Sequence, residues 1–75
     1  MELKEFIENL VDQFDDVDIN EISPGTAFQE LDEWSSLTAM GIIAMAKINY
    51  GKTITGLEVR HCKTVEDLYN LIASK

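Results

Sequence analysis

The chain has 75 residues, 45% of them hydrophobic, and sets fourteen aspartates and glutamates against six lysines and arginines for a formal charge of −8. A chain of this length forms one domain over residues 1–75, and its apolar content suffices for a core. The acidic balance argues against nucleic acid or anionic membrane as partners, since both call for basic surfaces, and favours proteins with basic patches.

Residues 2–15 read as an amphipathic helix. Leu3, Phe6, Ile7, Leu10 and Phe14 recur at three- and four-residue steps, while Glu2, Glu5, Glu8 and Asp12 take the other face. This start is acidic and amphipathic, unlike the basic start and apolar run of a signal peptide. Residues 16–35 carry helix breakers, among them Asp18, Asn20, Ser23, Pro24 and Gly25. Connections this long within small domains tend to be functional. Ile19, Ile22, Phe28 and Leu31 are expected to pack it against the core, with a short helical turn over residues 27–31.

A second helix is expected over residues 36–50, capped by Ser35 and ended by Gly51. Leu37, Met40, Ala44 and Ile48 share one stripe, and Ala39, Ile42, Ile43, Ala46 and Tyr50 another. A helix apolar nearly all round and free of acids exceeds what a small core can bury, so one face is expected to contact partners. Residues 52–55 read as an extended link and residues 56–62 as a short helix. Thr64 then caps a last helix with Val65, Leu68, Leu71 and Ile72 on its apolar side; Thr-Val-Glu-Asp is close to a capping box. No uncharged stretch is long enough to span a bilayer. The one cysteine, Cys62, cannot form an internal disulfide, which fits a reducing compartment. A cytoplasmic location and a monomer are expected.

Candidate chemistry is sparse. His61 and Cys62 are adjacent, and helix neighbours point about 100° apart, which suits them poorly to act as a nucleophile–base pair. Cys62 falls on the core side and His61 on the surface. Asp16, Asp18 and Asn20 match the first three ligand positions of a calcium loop. Glu21 then stands where glycine is needed and Ala27 where a bidentate glutamate is needed, so a solvated acidic loop is expected, with no metal site. What remains is Ser36, at the head of a helix, where free N–H groups and the dipole suit a phosphate. On position alone, Ser35 and Ser36 also read simply as a capping pair.

The stretch from Phe28 to Ile72 resembles the acyl carrier protein family, most closely discrete bacterial carriers with a Glu-Trp-Asp-Ser-Leu motif. Ser36-Leu37 matches the family's Ser-Leu, Tyr50-Gly51 with Ile54 the segment after the second helix, and Thr64-Val65-Glu66-Asp67-Leu68 the last helix start. Phe28 and Leu31 match the loop positions ahead of the motif, and the first helix agrees in length and pattern. The resemblance implies an all-α fold: a small four-helix bundle of acyl-carrier type with a long loop between helices one and two. It implies 4'-phosphopantetheine, taken from coenzyme A by a phosphopantetheinyl transferase and attached covalently to Ser36. The arm would hold acyl groups as thioesters for acyl-transferring or acyl-modifying enzymes of fatty acid, polyketide or related biosynthesis, the carrier itself catalysing nothing.

Two departures stand out. The family aspartate before the serine is Ser35, which still caps a helix but brings no charge. The second helix lacks the family's acids. Partners are therefore expected to read Glu30, Glu33 and Glu58, or an apolar face with Leu37, Met40 and Met45. The alternatives are an aminoacyl or peptidyl carrier, although the Gly-Gly usual ahead of that motif is absent, or an unmodified helical adaptor on the same fold.

Overall fold

Residues 2–75 are described by a computed structural model, and every regular element among them is helical: α1 (Leu3–Val11), α2 (Ser36–Tyr50), α3 (Gly56–His61) and α4 (Val65–Ala73). Two short 3-10 turns, Ile19–Glu21 and Phe28–Glu30, lie in the long connection between α1 and α2. The radius of gyration is 10.9 Å, close to the ~11 Å expected of a compact chain of this length. At coarse resolution this is the expected small four-helix bundle. No helix among the described residues is long and apolar enough to cross a membrane.

The core follows the apolar stripes. Phe6 and Leu10 of α1, Ile42 and Ala46 of α2, Val59 of α3, and Val65, Leu68 and Ile72 of α4 are fully buried. Phe6 sits between Tyr50 and Tyr69, with ring centroids 6.1 and 5.5 Å away, tying α1 to α2 and α4. Asn9 Nδ2 donates to Tyr50 Oη at 2.9 Å on the same seam.

The first helix is shorter than the expected 2–15. It ends at Val11, and the amides of Gln13 and Phe14 turn back to the carbonyls of Leu10 and Val11 in tighter bonds. Asp12, Asp15 and Asp16 favour turns over helix, and Asp16 adopts a left-handed φ of 58°. Phe14 still reaches the core, but from a turn.

The long connection is held by named bonds. Phe28 is fully buried and Ile22 nearly so, while Ile19, expected inside, is 39% exposed. A buried Phe contributes about 1.5–3 kcal/mol wherever it sits, so the loop adds to the core as a helix residue does. The Asp18 and Glu21 side chains close a capping box around the first 3-10 turn. The carbonyls of Thr26 and Pro24 accept the amides of Val65 and Glu66 at 3.0 and 2.9 Å, so the loop caps the start of α4. The Gln29 side-chain amide donates to the carbonyls of Val59 and Cys62 at 2.9 and 2.7 Å, closing the end of α3.

Candidate functional site

The start of α2 is built by two serines with divided duties. Ser35 is extended, at φ −152° and ψ 169°, and its Oγ accepts the amide of Thr38 at 3.2 Å. The same oxygen lies 3.1 Å from Thr38 Oγ1, which keeps the buried threonine hydroxyl partnered. Ser36 is the first helical residue. Its side chain is exposed, and its hydroxyl is hydrogen-bonded to no described residue. The helix thus takes its cap from one serine and leaves the other hydroxyl free at its positive end.

Trp34 fixes where this end points. Its ring packs on Phe28 edge-on at 5.4 Å between centroids and on Phe14 at 6.2 Å. Its amide returns to the Leu31 carbonyl at 3.0 Å. An open cleft of about 480 Å³ lies beside the serine, lined by Gln29, Trp34, Ser36, Ala39, Gly56 and Arg60. Arg60 is exposed and forms no ion pair among the described residues. A polar cleft with one free guanidinium and one free hydroxyl suits an anionic substituent on that hydroxyl.

The residues expected to meet partners divide. Leu37 and Met40 are 75% and 65% exposed, and Ile48, a third member of their stripe, is 79% exposed. Met45 is a correction. It is 3% exposed and belongs to the core, because five residues carry it about 140° round the helix from Met40. Glu30 and Glu33 are exposed in the turns leading into α2. Glu58 is engaged within the fold. It accepts the Thr55 amide at 2.9 Å, completing the α3 capping box, and forms an ion pair with Lys75. The lysine and then the Thr55 amide hold its carboxyl below the usual 4.5.

Cys62 is buried, with its thiol directed at the Glu58 carbonyl at 3.4 Å. Burial, then the charges of Asp67 and Glu58, push the thiol above its ordinary value and keep it protonated and unreactive. His61 is exposed. Among the described residues no three His, Cys, Asp or Glu side chains converge as metal ligands would.

The sequence pointed to Ser36 and missed the cleft around it. Arg60 and Gln29 reach it through packing of α3 and the loop, for which a single sequence carries no local signal. Comparison finds no matching protein family, curated protein or solved structure.

Proposed function

We propose that the chain is a carrier of the acyl-carrier type, with Ser36 as the attachment point for 4'-phosphopantetheine. The observation that carries this reading is the free Ser36 hydroxyl at the head of α2, beside a cleft that holds an unpaired arginine. In the attachment step the Ser36 oxygen forms a bond to the phosphorus that bears the pantetheine. The pyrophosphate bond of coenzyme A breaks, the adenosine bisphosphate half leaves, and the hydroxyl proton passes to the transferase. The α2 amides and Arg60 would face the resulting phosphodiester, while Trp34 keeps the helix start in place. When attached, the group supplies a terminal thiol that holds an acyl chain as a thioester. The chain contributes position and presentation, and no catalysis is assigned to it.

The all-helical fold and the Ser-Leu at the head of α2 support this reading. A second reading, an unmodified adaptor, draws on the exposed apolar side of α2, which binds a partner with or without an arm. Intact mass after incubation with coenzyme A and a promiscuous transferase separates the two. The parent should gain one phosphopantetheine, mapped by fragmentation to Ser36. Ser36→Ala should gain none while keeping its helical content. Ser35→Ala should still be modified and lose about 1 kcal/mol of stability with its cap. An unmodified parent beside an efficiently modified control carrier, or attachment at Ser35, overturns the assignment.

A further inference from the structure

We infer that the groove between α1 and the 3-10 turn Ile19–Glu21 is a docking site for a basic amphipathic helix of a partner protein. The site lies apart from the Ser36 cleft and from the exposed side of α2, and it needs no arm on Ser36.

Leu3 and Ile7 of α1 form one wall of the groove, Ile19 and Pro24 the other, and the nearly buried Ile22 completes it. Together they border an open space of about 580 Å³. Leu3, Ile7 and Pro24 are half-buried, and Ile19 is 39% exposed. The turn that carries Ile19 is fixed. Asp18 Oδ1 accepts the Asn20 amide at 2.9 Å, and Glu21 Oε2 accepts the Asp18 amide at 2.9 Å. An isoleucine held at the edge of an apolar groove leaves surface for a partner to cover.

The groove is remote from the serine. Phe14, just after α1, packs on Trp34, just before α2, while Phe6 packs on Tyr50 at the end of α2. The two helices thus run in opposite directions, and Leu3 and Ile7 stand toward the Tyr50 end. Ser36 and Tyr50 are about 21 Å apart along α2. No residue lines both the groove and the Ser36 cleft. A body docked in the groove leaves the start of α2 open to a second protein.

Charge and backbone chemistry name the occupant. The segments that form the walls, residues 3–11 and 18–24, carry Glu5, Glu8, Asp18 and Glu21 against Lys4 alone. Asp12, Asp15 and Asp16 lie on the chain between them, and all these side chains are exposed. The Asp18 and Glu21 carboxylates are already ordered by the amides they accept, so they present charge at little further entropic cost. A second copy, itself at −8, would bring like charge to the groove. A segment bearing lysine or arginine brings the opposite sign. Neither wall is a strand, so an extended chain finds no sheet edge to pair with. The occupant must close its own backbone bonds, as a helix does. Leu3 and Ile7 are about 6 Å apart along α1, the spacing that anchors at i and i+4 of a docked helix also keep.

The test uses unmodified, isotope-labelled protein and three synthetic peptides of about 18 residues, long enough to be helical when bound. One has a leucine face and a lysine face. The second replaces its lysines with glutamates. The third scrambles the first, so that charge is kept and the apolar face is lost. Each is titrated in at low salt and followed by amide shifts. The lysine peptide should saturate, with shifts centred on residues 3–8 and 19–24, and should bind about five-fold or more tighter than either other peptide. Near ~1 M salt its advantage over the glutamate peptide should shrink while its advantage over the scramble remains. Ile19→Ser should weaken it about five-fold or more. Asn20→Lys, at an exposed position lining the groove, should weaken it about two- to three-fold. The amide spectrum verifies that each variant is folded, and the second keeps every core side chain. Equal binding of the lysine peptide and its scramble, preference for the glutamate peptide, shifts centred on residues 37–48, no saturation, or self-association through the groove overturns the inference. No transferase or arm enters the experiment, so its failure and failure of the carrier reading are read separately.

Discussion

Single residues at the helix starts carry much of the local specification. The Thr64 hydroxyl accepts the Asp67 amide at 3.1 Å, and the Asp67 carboxylate accepts the amides of Thr64 and Lys63 at 3.1 and 3.2 Å. Those backbone bonds, Thr64's first, hold the Asp67 carboxyl below its ordinary 3.8. A carboxyl whose value is lower folded than unfolded contributes stability above the unfolded value and loses it as pH falls through the folded one. Asp67→Asn should therefore lower the melting temperature at pH 7. The gap between parent and variant should stay constant down to about pH 4–5 and close below it. A gap that persists unchanged in strong acid would show that charge has no part in the cap. The same carboxylate helps keep Cys62 protonated, so one side chain serves both the helix start and the quiet of the thiol.

Among the elements, α2 was the most legible and the least resolved in its faces. Its start at Ser36, its Ser35 cap and its end at Gly51 all follow the sequence, because capping chemistry is local. Gly51 adopts φ 66°, and its amide and that of Lys52 return to the carbonyls of Lys47 and Ala46. An alanine is strained there, so Gly51→Ala should cost about 1–2 kcal/mol, read by chemical denaturation. A neutral result would mean that the helix end relaxes freely. The open space around a Cβ at this position makes backbone strain the only cost. The faces of α2 were another matter. With apolar residues on every side, periodicity could not say which ones point inward, and Met45 was placed outside with Met40. That choice is made by α1 and α3, which the helix's own sequence does not contain. The end of α1 was overextended for a related reason, since Phe14 kept the apolar spacing while the aspartates around it had already turned the chain. The 3-10 turn at Ile19–Glu21 was missed although its Asp-x-x-Glu capping pattern stands in the sequence.

At the scale of the whole molecule, charge opposes the fold. Eight of the fourteen acids lie within residues 1–22 beside a single Lys4, and all eight are exposed. The ion pair Lys75–Glu58 lies elsewhere, so none of the eight is relieved by a salt bridge among the described residues. The molecule measures 27 × 24 × 20 Å. The screening length is about 30 Å at 0.01 M salt, so under those conditions every acid feels all the others. At about 1 M it falls to roughly 3 Å and only immediate neighbours count. Unfolding moves these charges apart, so screening should favour the folded state. The melting temperature should rise from low to high sodium chloride by about 4 °C or more, the shift that ~1 kcal/mol produces in a domain of this size. Millimolar magnesium should act at lower ionic strength. General salting-out would also raise it, but without regard to the acids. The triple substitution Asp12→Asn, Asp15→Asn and Asp16→Asn separates the two causes. It removes three charges from exposed turn positions, spares the Asp18 cap, and leaves at residue 16 a side chain that tolerates the left-handed backbone. It also takes a negative charge away from the carbonyl end of α1, where the dipole disfavours it. The triple variant should melt higher than the parent at low salt and respond less to added salt. A parent curve that is flat or falling, or equal slopes for parent and variant, would show that repulsion among these acids does not limit stability.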